Sequence, residues 1–185
     1  ASVNATNSSS VNGALDINGQ LWTWGYNGHS GLGRNFRYNN NWYNSYVPAR
    51  IPQQYFDNRK LTDFWLSGGN YQYGMAKDED GNLWGWGYNY NSDHLGVGND
   101  QYTGAPRKVA YNWEKHGGIK KLATAGYNTY YQTIVLTNDG VLHVAGQSQI
   151  VGKNLYQTGD YDDDMASIGG GFSPMQKYCG IVLDQ

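Results

Sequence analysis

The chain has one cysteine, Cys179, so no disulfide can close within it and its redox compartment is open; beside the C-terminal strand it reads as a small buried side chain. Only 15% of its 185 residues are charged, well below the usual quarter. The net charge is −2 and the lysines and arginines are scattered, which leaves no basic footprint for a phosphate backbone and argues against a nucleic-acid partner. No apolar run is long enough to span a bilayer and no secretory core is visible, so the chain reads as soluble, without membrane insertion. G-x-S-x-G, P-loop and H-E-x-x-H patterns are all missing, and nothing points to an enzyme or to a cofactor.

What the chain has instead is glycine (26), tyrosine (17) and tryptophan (7). With few strong helix formers, this composition predicts an all-β fold rich in turns. One twelve-residue phrase recurs: residues 14–25 read ALDINGQLWTWG, 76–87 AKDEDGNLWGWG and 135–146 VLTNDGVLHVAG. The shared glycines Gly19, Gly81 and Gly140 stand 62 and 59 residues apart, the mark of a repeat architecture. Asn18-Gly19, Asp80-Gly81 and Asp139-Gly140 lie between strand-length runs and predict two-residue hairpin turns with positive φ. After each turn the side chains alternate: Leu21 and Thr23 oppose Trp22 and Trp24, Leu83 and Gly85 oppose Trp84 and Trp86, and Leu142 and Val144 oppose His143 and Ala145. Large residues on both faces predict a strand sandwiched between neighbouring sheets, as in radial packing.

The equivalences extend further. Gly25-Tyr26-Asn27 matches Gly87-Tyr88-Asn89, and Leu32-Gly33 matches Leu95-Gly96 and Val151-Gly152; Gly146 closes the third strand as Gly25 and Gly87 close the others. Pro48-Ala49-Arg50-Ile51 corresponds to Pro106-Arg107-Lys108-Val109, and 61–66 and 119–123, with 166–171 third, lead into the next hairpin. These motifs resemble the RCC1 (regulator of chromosome condensation) repeat family, best at Leu83-Trp84-Gly85-Trp86-Gly87-Tyr88-Asn89 followed by Leu95-Gly96-Val97-Gly98. The resemblance covers about residues 13–185 and implies a β-propeller of four-stranded blades. Two departures mark the chain as divergent: Asn128-Thr129-Tyr130-Tyr131 stands where the family has histidine-serine, and the third copy lacks both tryptophans.

The expected organisation is a flexible polar segment over 1–12, whose two N-x-S/T matches read as chance, then RCC1-like repeats at about 13–74, 75–133 and 134–180, with a fourth begun at 181. Three hairpins make an incomplete ring, and an open array leaves sheet edges unpaired. The ring could be part of a longer propeller, completed by copies of the chain, or covered by another protein. The favoured expectation is that the last strand pairs across a chain boundary, with a protein partner or a homo-oligomer completing the sheet.

No catalytic constellation emerges. The binding candidates are the aromatic excursion after the first repeat, Tyr38, Asn40, Asn41, Trp42 and Tyr43, and Tyr102 in the second, because Tyr, Trp and Asn give large contact area with adaptable hydrogen bonding. The four histidines show no metal-ligand spacing, His143 reads as packed, and residues 160–164, Asp-Tyr-Asp-Asp-Asp, read as a solvated acidic loop rather than a calcium site; no metal is expected. The function expected is a non-catalytic binding or structural propeller module, part of a phage virion (capsid or tail) or another extracellular assembly, with a cytoplasmic location as the alternative. A glycan-binding adhesin recognising a cell-surface glycan is the second reading, and a regulator of a small GTPase a third.

Overall fold

The computed structural model describes residues 2–5, 11–35, 37–38, 41–67, 71–89, 93–98, 102–127, 130–146 and 172–174. Three four-stranded antiparallel sheets follow one another along the chain. Blade 1 is β1 (Ser2–Ala5), β2 (Val11–Leu15), β3 (Leu21–Gly25) and β6 (Ser45–Arg50), with a small hairpin of β4 (Arg37–Tyr38) and β5 (Asn41–Trp42) inserted before β6. Blade 2 is β7 (Leu61–Ser67), β8 (Tyr73–Asp78), β9 (Leu83–Tyr88) and β10 (Tyr102–Lys108), and blade 3 is β11 (Ile119–Tyr127), β12 (Tyr130–Thr137), β13 (Leu142–Gly146) and β14 (Ser173–Pro174). The first strands of successive blades approach one another, β1 to β7 and β7 to β11, as in a radial array. Short 3₁₀ turns, Gln53–Phe56 and Glu114–His116, link the blades.

The sheets divide the chain one strand away from the repeated phrase. Leu61–Ser67, which ends the first repeat in sequence, is the first strand of blade 2, and Ser2–Ala5 fills the same place in blade 1 by pairing with β2 from Ser2↔Leu15 to Ala5↔Asn12. Residues 2–5 are therefore sheet rather than a flexible lead-in: β2 presents an open ladder edge, and backbone pairing does not require apolar side chains.

The hairpin turns are longer than the dipeptides implied. Gly19, Gly81 and Gly140 have φ of 75°, 83° and 85°, while Asn18, Asp80 and Asp139 are absent from the left-handed region. A two-residue type I′ turn needs both central residues there; a single left-handed glycine closing a type I turn fits instead. The residue three before each glycine closes the turn by accepting its N–H: Asp16, Asp78 and Thr137. Asp16 Oδ1 also accepts the N–H groups of Asn18 and Gln20, and Asp78 Oδ1 those of Asp80 and Asn82.

The core lies in the two seams between blades. In the first, Leu21, Leu32, Ile51, Phe56 and Phe64 meet Trp84 and Trp86; in the second, Met75, Leu83 and Leu95 meet Trp113, Tyr131, Val135 and Ala145. β9 is thus covered on both faces, and all six of its residues are buried, as the alternation predicts. The sandwich does not extend to blade 1, where Trp22 and Trp24 are only half-buried. Their face points away from blade 2, and no sheet lies over it among the described residues. The third copy solves the loss of its tryptophans with Phe172, from outside the repeated phrase. A Cβ on Gly33 would meet Trp86, and a Cβ on Gly96 would meet Phe172, each at 2.8 Å, so Phe172 fills the volume that Ala145 leaves.

Candidate functional site

The rim of blade 1 carries the large apolar side chains most exposed on its sheet. β6 pairs with β3 at Trp22↔Arg50, Thr23↔Ala49 and Gly25↔Ser45, with a register shift between. Tyr46, Val47 and Pro48 therefore bulge out opposite the single residue Trp24, a geometry that re-aims side chains. Tyr46 is 86% and Val47 67% exposed, with Tyr43 at 44% beside them. β10 has the same irregularity between Thr103 and Arg107, but there Asn35 of blade 1 donates its N–H to Gly104 O at 2.8 Å and covers it. Arg50 lies over the Trp22 ring, 5.3 Å from its centroid, and bonds Gln20 Oε1 at 2.9 Å.

Of the residues singled out in sequence, Tyr43 is exposed on this rim. Tyr38, Asn41 and Trp42 lie on the β4–β5 hairpin next to it, and Asn40 falls outside the described residues, as do 151–171. Tyr102 stands elsewhere, half-buried on β10, with ring centroids 5.9 Å from His29 and 5.8 Å from Tyr88. It belongs to an aromatic nest that also holds Tyr71, Tyr73, His94 and Tyr131. Burial drives His94 down to about 3, so it is neutral at physiological pH, and raises the Tyr131 hydroxyl to about 12.

Sequence reading missed a second constellation, at the seam of blades 2 and 3. In the first two hairpins an aspartate holds a tryptophan indole: Trp22 Nε1 donates to Asp16 Oδ2 at 3.0 Å, and Trp84 Nε1 to Asp78 Oδ2 at 2.9 Å. At the equivalent positions of blade 3 stand Thr137 and His143, 3.1 Å apart between Oγ1 and Nε2. Phe56 packs edge-on against Trp84 with centroids 5.7 Å apart, and Trp113 packs edge-on against His143 at 5.7 Å. The corner keeps its shape while its centre becomes polar. Tyr111 enters it, its hydroxyl 2.9 Å from His143 Nδ1 and 3.4 Å from His116 Nε2.

Asp139 ties the corner together. Its Oδ1 accepts from Thr137 Oγ1 at 2.5 Å, and its Oδ2 lies 2.9 Å from His116 Nδ1. The Thr137 hydroxyl, and behind it His116, hold the carboxyl well below the usual range, at about 2, so it is a carboxylate at neutral pH. One ligand atom each from His116, Asp139 and His143 all lie within 4.8 Å of one another. The three come from the linking turn, the hairpin turn and β13, separated by 23 and 4 residues, and no contiguous motif joins them.

No family model matches the chain. Solved structures do: human WBSCR16, 16% identical over 79% of this chain and 32% of that one, TM-score 0.59; yeast RCC1 (Prp20) bound to Kap60, 22% identical over 77% and 31%, TM-score 0.57; and Prp20p from Saccharomyces cerevisiae, described with its binding properties to Gsp1p and histones, 21% identical over 90% and 36%, TM-score 0.59. The chain has a divergent RCC1-like β-propeller repeat fold, and it spans about a third of the length of these structures. They correct one expectation. A virion or extracellular location rested on composition alone, and the similar solved folds, RCC1-like proteins, speak against it rather than for it. Composition misled because Asn-, Gly- and Tyr-rich sequence is what propeller turns and seams themselves require.

Proposed function

We propose that the chain is a non-catalytic β-propeller module that binds a protein partner through the rim of blade 1. The bulge of β6 carries this reading, with Tyr46 86% and Val47 67% exposed. Exposed sheet edges are normally blunted by charge or cover, and contiguous apolar exposure marks interaction surfaces. Blade 2 supplies the internal comparison, since its matching bulge is covered by a neighbouring blade through Asn35. Aromatic and aliphatic anchors inside a polar rim are the usual energetic centre of a protein interface. The yeast protein of similar fold is described by its binding to Kap60, Gsp1p and histones, which makes polypeptides the first class to try.

The test is a photo-crosslinker at position 46, compared with one at exposed Asp57, in the purified chain with Gsp1p or histones added. Crosslinks to a polypeptide from position 46 alone, lost with Val47→Asp, are expected. Equal labelling from both positions, with Val47→Asp changing nothing, would sink the proposal.

A second reading, regulation of a small GTPase, draws on the same yeast likeness to a Gsp1p-binding protein. It requires the chain to accelerate nucleotide release from Gsp1p, and an unchanged release rate at saturating chain removes it.

A further inference from the structure

We propose that His116, His143 and Asp139 form a binding site for a divalent transition metal, zinc by preference, that clips the linker between blades 2 and 3 onto the hairpin of blade 3. The corner carries more polar groups than the fold needs. At the same corner one blade earlier, Phe56, Trp84 and Asp78 satisfy packing and hydrogen bonding with one aromatic pair and one Asp–indole bond. In blade 3 this corner carries two imidazoles with ring centroids 4.4 Å apart at 67°, and a carboxylate against one of them.

The donor set fits the metal. Zinc takes imidazole nitrogen and carboxylate oxygen at about 2.0–2.2 Å in tetrahedral geometry, which places ligand atoms roughly 3.3 Å apart. The separation of 2.9 Å between His116 Nδ1 and Asp139 Oδ2 and the 4.8 Å limit on the whole set bracket that spacing. Small ring rotations close it; the Tyr111 hydroxyl, now 2.9 Å from His143 Nδ1, would yield that nitrogen to the ion, while Thr137 keeps Nε2. Nitrogen-rich sites of this kind favour zinc over magnesium or calcium, which prefer all-oxygen shells. Burial also suits a bound ion: His143 is fully buried, whereas His116 and Asp139 reach the surface with 14% and 38% of their side-chain area exposed. That leaves the ion a way in.

The site also has orienting partners. Thr137 bonds both the His143 ring and Asp139, the kind of outer support that fixes ligand direction. His116 follows Trp113, a buried side chain of the second seam, so a metal bond here would fasten the linking turn to residues 137–143 where the fold otherwise relies on hydrogen bonds and on the packing of Tyr111 and Trp113 against His143.

The experiment titrates the full chain with zinc chloride by calorimetry, and with cobalt chloride while watching for the visible bands of four-coordinate cobalt. One ion per chain, displacement of cobalt by zinc and a higher melting temperature with zinc are expected. His116→Ala and Asp139→Asn lie at the surface and should fold, which circular dichroism checks. Each should weaken zinc by more than the roughly 10- to 100-fold that loss of an outer-shell partner brings, and should abolish the thermal shift. Absence of heat and of cobalt bands at millimolar metal overturns the proposal. So does binding that survives both substitutions unchanged, which would put the ion elsewhere, with the Asp160–Asp164 segment the first place to look.

Discussion

Asp78 accepts the indole N–H of Trp84 at 2.9 Å with one carboxylate oxygen while the other accepts the N–H groups of Asp80 and Asn82 at 3.0 and 2.8 Å. One buried carboxylate thus sets both the hairpin turn and the orientation of a tryptophan in the seam. Asp16 does the same for Trp22 on the half-buried face of blade 1. Asp78→Ala strands an indole N–H and two backbone donors, and should cost about 3 kcal/mol or more in urea unfolding. Asp16→Ala should cost clearly less, because water reaches the Trp22 side. Equal losses would contradict this account of the seam.

Gly33 and Gly81 separate steric from conformational cost. Both have positive φ, 66° and 83°, but a Cβ on Gly33 would stand 2.8 Å from two atoms of the Trp86 ring, whereas one on Gly81 meets nothing within 4 Å. Gly81→Ala should cost about 1–2 kcal/mol for the left-handed backbone alone. Gly33→Ala should add roughly 1–3 kcal/mol of overpacking, with a quenched or shifted tryptophan emission as the spectroscopic check.

Phe172 stands in for a tryptophan that the third copy has lost, packing edge-on against Trp113 with centroids 4.9 Å apart. Phe172→Ala should open the second seam and cost about 3–5 kcal/mol. A loss under 1 kcal/mol by chemical denaturation would mean that Phe172 does not fill the seam.

Asp93 and His94 oppose one another in pH. Burial raises Asp93 to about 6 from 3.8, so its contribution to stability is full below 3.8 and is lost as pH rises through 6. Burial holds His94 at about 3 against 6.5, so its contribution is present above 6.5 and is lost as pH falls toward 3. Between pH 6 and 4 the two slopes cancel. Asp93→Asn removes one of them and should expose the other: relative to the parent chain it should lose about 3 kcal/mol between pH 7 and pH 4. Thermal melts across that range read the difference directly, and parallel curves would refute it.

The corner of His116, Asp139 and His143 shows why part of this molecule could not be read in advance. His143 sits at a tryptophan position and looks in sequence like a simple replacement, and His116 and Asp139 have no local relation to it. Only the turn that carries His116 back onto blade 3 makes the three neighbours. Tyr46-Val47-Pro48 is similar: its alignment with Ala105-Pro106 is readable, but exposure depends on whether a preceding sheet covers the bulge.

The sequence alone determined the hairpins, the all-β class and the sandwiching of Trp84 and Trp86. Glycine's access to positive φ and the period-two alternation of a strand are local rules, written into the residues that obey them. Tertiary structure decided which blade each strand joins, that Ser2–Ala5 is sheet, that Phe172 replaces a lost indole, and that two histidines and an aspartate meet at one seam. Those outcomes depend on stacking between segments distant in the chain, where the energy lies in surfaces that no short stretch of sequence contains.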